Sequence, residues 1–279
     1  MNNVPWSLAF SPCPNDTFMF DGLVNQHLQE NINTRYDLLD IEKLNEAALV
    51  TRYDFTKLSF GVFPRVAEKY QITSSGCALG YKCGPLLIAR PGTSISSLRE
   101  GIVAIPGQNT TANLLLGILF PQFQQKQVYL FSDIEAAVLK GEVAAGLIIH
   151  ENRFTFEAKG LVKLADLGDE WEQRYQLPVP LGCIAVRRSL PDSDKRKLQE
   201  SLRASIELAF ADPHISAPFV AAHAQEMSPE VQQQHIALYV NNFSLELGAQ
   251  GEEAIRMLFR EGARLNLLPA CKDSLFLND

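Results

Sequence analysis

The chain has few cysteines, no excess of positive charge and no long apolar run, and each scarcity removes a class of protein. Cys13, Cys77, Cys83, Cys183 and Cys271 are the five cysteines, and none stand in CxxC spacing. An odd set without that spacing fits a reducing compartment better than a disulfide framework. The 25 Lys and Arg residues against 32 Asp and Glu leave a formal charge of -7. A nucleic-acid surface needs a basic patch to offset phosphate charge, so no nucleic-acid partner is expected. No run approaches the roughly 20 apolar residues that cross a bilayer, so no membrane partner is expected either. The opening MNNVPWSLAFSPCPNDTF has neither a basic n-region nor a long apolar h-region, which makes the cytoplasm the expected location. HExxH, GK[ST] and GxSxG are also missing, so zinc, P-loop nucleotide and serine-nucleophile chemistry have no support.

What is present is a chain of 279 residues, 46% hydrophobic and 20% charged, long enough to bury a substantial core. Short apolar runs alternate with segments of helical period, which is the pattern of an α/β fold. Strands are expected at 6–11, 36–42, 55–60, 85–90, 101–106, 128–131, 143–150 and 182–188, and helices at 16–27, 43–51, 110–119 and 133–140. From Asp192 onward the chain reads as mainly helical, with Asp192 and Asp194 opening one helix and Ser228 with Glu230 another. No internal repeat, low-complexity tract or long linker divides it.

PLLIAR and GCIAVRR flank an αβ block running from near Thr93 to near Pro180. If the chain crosses at the first and returns at the second, two lobes enclose a cleft. Residues 1–88 and 187–279 then form one lobe, its second part mainly helical, and 89–186 form the other. Ligands in open α/β sheets bind outside the carboxyl ends of strands, where such a cleft lies.

Five stretches are candidates for chemistry. In SPCPNDTFMF, Asn15 and Asp16 precede an apolar helix; they serve either as caps of an ordinary turn or beside an anion site at the helix start. In PGQNTTANLLL, Gly107 permits a turn, and Thr110, Thr111 and the following amides either cap the helix or hold a carboxylate. In FTKLSF, strand alternation sets Lys57 and Ser59 on one face and Thr56, Leu58 and Phe60 on the other, and Lys57 is either solvated or bound to an anion. The glycine-rich GCALGYKCGPL, with Lys82 and Cys83, permits close approach to a ligand but equally suits a turn.

The fifth is AAGLIIHENRF, where His150 closes an apolar strand. A histidine there is either structural or, at the carboxyl edge of the sheet, a general base, since imidazole titrates near neutral pH. Glu151 follows it as a candidate orienting group, although neighbours on a strand point to opposite faces. His27, His214, His223 and His235 fall in helix-like segments without metal spacing. No cysteine adjoins His150 in sequence, so covalent catalysis lacks support and general-base chemistry on a bound acid remains.

Read in order, SPCPNDTFMF, TKLSF, CGPL, GQNTTA, GLIIHENRFT, LGDEWEQRYQLPVPLG and YVNNFSLELG give a chain that resembles the 1,4-dihydroxy-6-naphthoate synthase family of the futalosine route to menaquinone, from about residue 6 to about residue 265. The resemblance implies a two-lobed fold of the periplasmic-binding-protein type II kind, with two hinge crossings and a central cleft, used as an enzyme. It implies a carbon–carbon lyase that fragments cyclic dehypoxanthinyl futalosine, an aryl carboxylate, to 1,4-dihydroxy-6-naphthoate and a dihydroxyacetone unit, with no metal and no organic cofactor. By motif match, His150 is the general base, and Lys57, Leu58, Ser59, Thr111 and Ala112 contact substrate. A solute-binding protein of the same shape and the sister enzyme chorismate dehydratase are the alternatives.

Overall fold

The computed structural model describes residues 4–98, 100–150, 152–224, 228–271 and 274–277. Two sheets organise it. Strands β1 (Trp6–Phe10), β2 (Thr34–Leu38), β3 (Phe55–Ser59), β4 (Tyr70–Ile72), β5 (Ala78–Gly80) and β11 (Val179–Arg187) make the first, and β6 (Leu86–Ala89), β7 (Val103–Ile105), β8 (Lys126–Val128), β9 (Ala145–Ile148) and β10 (Val162–Asp166) the second. The first is ordered β2-β1-β3-β11-β4, with β5 also on β11, and the second β10-β6-β9-β7-β8. The sheets exchange the chain twice, between β5 and β6 and again between β10 and β11. Strand β11 pairs only within the first sheet, against β3, β4 and β5.

The helices are α1 (Pro14–Val24), α2 (Ile41–Leu49), α3 (Phe63–Val66), α4 (Thr111–Leu119), α5 (Ile134–Lys140), α6 (Asn152–Thr155) and α7 (Leu167–Tyr175). The C-terminal third is helical as expected, through α8 (Asp192–Ala211), α9 (Pro213–His223), α10 (Pro229–Tyr239), α11 (Asn242–Leu245) and α12 (Gly248–Arg264). Among the described residues no helix is long and apolar enough to cross a membrane.

Local chemistry fixes the boundaries that position the site. Pro14 begins α1, where its fixed φ suits a helix and its missing N–H removes no bond. The helix therefore starts ahead of Asn15 and Asp16, which are first-turn residues rather than caps; Cys13 occupies the cap position without a side-chain bond. The strand expected over 36–42 stops at Leu38, because the Asp40 side chain accepts from Glu42 N at 2.9 Å and turns the chain into α2. The strand expected over 128–131 ends at Val128, and a short 3-10 turn over Phe131–Asp133 leads into α5. Thr110 caps α4 and Ser228 caps α10 through their hydroxyls.

Strand β3 lies between β1 and β11 and is buried along its whole length. Helix α1 packs on α8, where Ser205 Oγ donates to Met19 O (2.6 Å) and accepts from Leu23 N (3.1 Å). A Cβ on Gly22 would come within 2.9 Å of that hydroxyl, so glycine sets the helix spacing. Phe10 stacks on Phe20 at 4.2 Å between centroids, tying α1 to the first sheet.

Candidate active site

A cavity opens between residues of the two sheets. Its walls combine Ser11, Asn15, Asp16, Lys57 and Ser59 from the first sheet and its helices with Thr110, Thr111, Ala112 and His150 from the second. Seven of the expected site residues besides His150, namely Asn15, Asp16, Lys57, Ser59, Thr110, Thr111 and Ala112, thus meet at one place. Leu58 does not join them. Its side chain points from the other face of β3 into the apolar core and is fully buried.

Lys57 is neither solvated nor free. Its Nζ donates to Asp16 Oδ1 at 2.8 Å, and both side chains are almost wholly buried. Asp16 is satisfied further by Ser11 Oγ (2.6 Å) and Asn15 Nδ2 (2.9 Å). A buried charge persists only when paired and hydrogen-bonded, and this pair is both. Among the described residues Lys57 is the only lysine or arginine lining the cavity, so the lining carries a cation that is already matched. Ser59 is held by Asn45, which donates to its hydroxyl (3.1 Å) and accepts from its backbone N–H (3.0 Å).

The threonine hydroxyls are also committed. Thr110 Oγ1 donates to Gly107 O (2.9 Å), and Thr111 Oγ1 donates to Leu181 O and accepts from Gly61 N (3.1 Å). Thr111 therefore fastens α4 to the first sheet, and a Cβ on Gly61 would strike Asn109 and Thr110 carbonyls within 2.7 Å. What α4 offers a ligand is its N-terminal backbone amides at Thr111 and Ala112, which have no intrahelical acceptor.

His150 stands two residues past the end of β9, not within the strand, with φ of 58°. The left-handed conformation costs an L-residue roughly 1 kcal/mol and turns the ring into the cavity mouth. Its Nδ1 lies 3.6 Å from Cys13 Sγ, and Phe131 meets the ring edge-on at 5.2 Å. Cys13 thus fills the orienting place considered for Glu151, which lies outside the described residues. A cysteine does adjoin His150, in space though not in sequence.

Sequence reasoning missed His235, on α10. It is wholly buried, lines the cavity, and its ring centroid is 6.3 Å from that of His150 at an interplanar angle of 23°. Burial, with smaller contributions from His150 and Lys57, holds its pKa well below the usual imidazole value. The available signal was spacing: Val231, His235 and Tyr239 fall four apart, on one helix face. Cys83 lines the cavity as a thiol, its pKa pushed up to about 12 by burial. Lys82 is exposed and outside the lining, and its backbone N–H donates to Glu172 Oε1 at 2.5 Å.

Two sheets joined by two crossings around such a cavity define a two-lobed protein of the periplasmic-binding-protein type, with a base candidate where a binding protein needs none. Solved structures share the architecture. A protein of Archaeoglobus fulgidus superposes with a TM-score of 0.91 at 29% identity, over 96% of this chain and 100% of its own. The alkanesulfonate-binding protein of Xanthomonas axonopodis pv. citri, bound to MOPS, gives 0.75 at 15% identity over 100% and 98%, a likeness of fold alone.

The family described as menaquinone biosynthesis matches residues 6–264. Proteins named 1,4-dihydroxy-6-naphthoate synthase from Thermus thermophilus and Streptomyces coelicolor are 43% identical over 97% of this chain and 98% of theirs, and 41% identical over 94% of each. The chain belongs to the 1,4-dihydroxy-6-naphthoate synthase family and is an enzyme of menaquinone biosynthesis.

Proposed function

We propose that the enzyme is a cytoplasmic carbon–carbon lyase that fragments cyclic dehypoxanthinyl futalosine to 1,4-dihydroxy-6-naphthoate and a dihydroxyacetone unit, with His150 as general base. The observation that carries this reading is the setting of His150. Cys13 meets Nδ1, while Nε2 has no partner among the described residues and the ring lines the cavity. When Nδ1–H donates to the Cys13 sulfur, Nε2 carries the lone pair a base needs, on a ring that lines the cavity.

The substrate's aryl carboxylate lies at the N-terminus of α4, where Thr111 and Ala112 line the cavity and the helix dipole favours an anion. The Lys57–Asp16 pair contributes a fixed dipole rather than a free charge. His150 takes a proton from the spiro-ring portion, and the electron pair released breaks the carbon–carbon bond to the three-carbon unit as the new ring becomes aromatic. The imidazolium returns the proton to the departing unit, so the step consumes no co-reactant. Aromatisation supplies the driving force, and the protein supplies position and a base.

The test is turnover by the purified chain of cyclic dehypoxanthinyl futalosine and, in parallel, chorismate. Formation of 1,4-dihydroxy-6-naphthoate from the first supports the reading. Dehydration of chorismate instead assigns the cavity to the sister reaction and contradicts it.

A further inference from the structure

The hydrogen-bond chain beside the cavity fixes the protonation of His235. Asp16, ionised against Lys57, can only accept, so the Asn15 atom 2.9 Å from it is the amide nitrogen. The Asn15 oxygen then faces His235 Nε2 at 3.0 Å, and Nε2 must be the ring nitrogen that donates. In a neutral ring this leaves a bare lone pair on Nδ1. Of the buried side-chain atoms without a partner among the described residues, His235 Nδ1 alone belongs to a residue lining the cavity. A buried acceptor left unmatched is costly, and a ligand that donates to it recovers that cost on binding.

We propose that His235 Nδ1 accepts a hydrogen bond from a hydroxyl of the substrate's departing three-carbon unit and so orients that unit toward His150. A carboxylate is excluded from this position because two acceptors repel, whereas a hydroxyl matches the lone pair. The neighbouring His150 ring places the contact at the part of the substrate that His150 attacks. The depressed basicity of His235 keeps it an acceptor rather than a competing base. The inference rests on the substrate reading above.

Two replacements separate this role from a structural one. His235→Gln keeps a donor near the Nε2 position, facing Asn15, and loses the Nδ1 acceptor; His235→Asn keeps an acceptor near Nδ1 and loses the donor. Both are measured for kcat/KM with cyclic dehypoxanthinyl futalosine, alongside thermal unfolding to confirm folding. The expected result is a loss of about tenfold or more in H235Q, with H235N clearly the more active of the two. H235Q equal to the parent would assign Nδ1 to a buried water and overturn the inference, and H235N as the weaker variant would overturn it in favour of anchoring Asn15. A 15N-histidine spectrum of the parent showing the Nδ1–H tautomer would also overturn it. A parent that does not turn over the compound contradicts the substrate reading, and the inference falls with it; an active parent with an unimpaired H235Q contradicts the inference alone.

Discussion

Cys13 Sγ lies 3.6 Å from His150 Nδ1, joining the start of α1 to the loop after β9 across the cavity. The thiol limits rotation of a ring whose backbone is already in the left-handed region. Cys13→Ala is expected to lower kcat about five- to tenfold with little change in KM, the scale of one hydrogen bond. Cys13→Ser, which keeps a polar partner, recovers part of the loss. Steady-state kinetics checks both, and a purely packing role would show instead as a change in melting temperature at constant kcat.

Breaking the Lys57–Asp16 pair strands a buried charge. Lys57→Met or Asp16→Ala alone should destabilise the fold by about 3–5 kcal/mol, and the double variant by less than the sum. Urea unfolding of the four proteins gives the coupling, and additivity would contradict a buried pair.

Stability should fall on acidification, in part through His235. In the unfolded chain this imidazole takes a proton near its ordinary value of 6.5, while in the folded protein its pKa lies well below. Below pH 6.5 the unfolded state therefore binds more protons, and this group removes about 1.4 kcal/mol of stability per pH unit until its folded pKa is reached. Comparing urea midpoints at pH 7, 6 and 5 should show a shallower decline for His235→Gln than for the parent.

Leu58 belongs to a substrate-binding motif by sequence and to the core by structure. Leu58→Ala should cost about 2–5 kcal/mol of stability, the scale of a buried leucine truncation. A rise in KM at unchanged stability would instead place the side chain at the ligand.

Periodicity revealed most strands and helices, because alternation and capping residues are local. It also pointed to His150, Ser59 and the TTA turn, which stand at element ends and line the cavity. The errors have physical causes of longer range. Lys57 looks solvated until β1 and β11 close over β3 and Asp16 arrives from α1. Asn15 and Asp16 look like caps, but Pro14 starts the helix two residues earlier than expected and frees their side chains for the network. His235 is read as an ordinary helix residue because its partners, Asn15 and the cavity, lie at the far end of the sequence.

The most direct measurement is single-turnover conversion of cyclic dehypoxanthinyl futalosine by the parent and by His150→Ala, with substrate binding followed separately. Binding should be retained and turnover reduced by about 10²- to 10⁴-fold, the contribution of a positioned base. Turnover by His150→Ala at the parent's rate would contradict the assignment of His150 as the base.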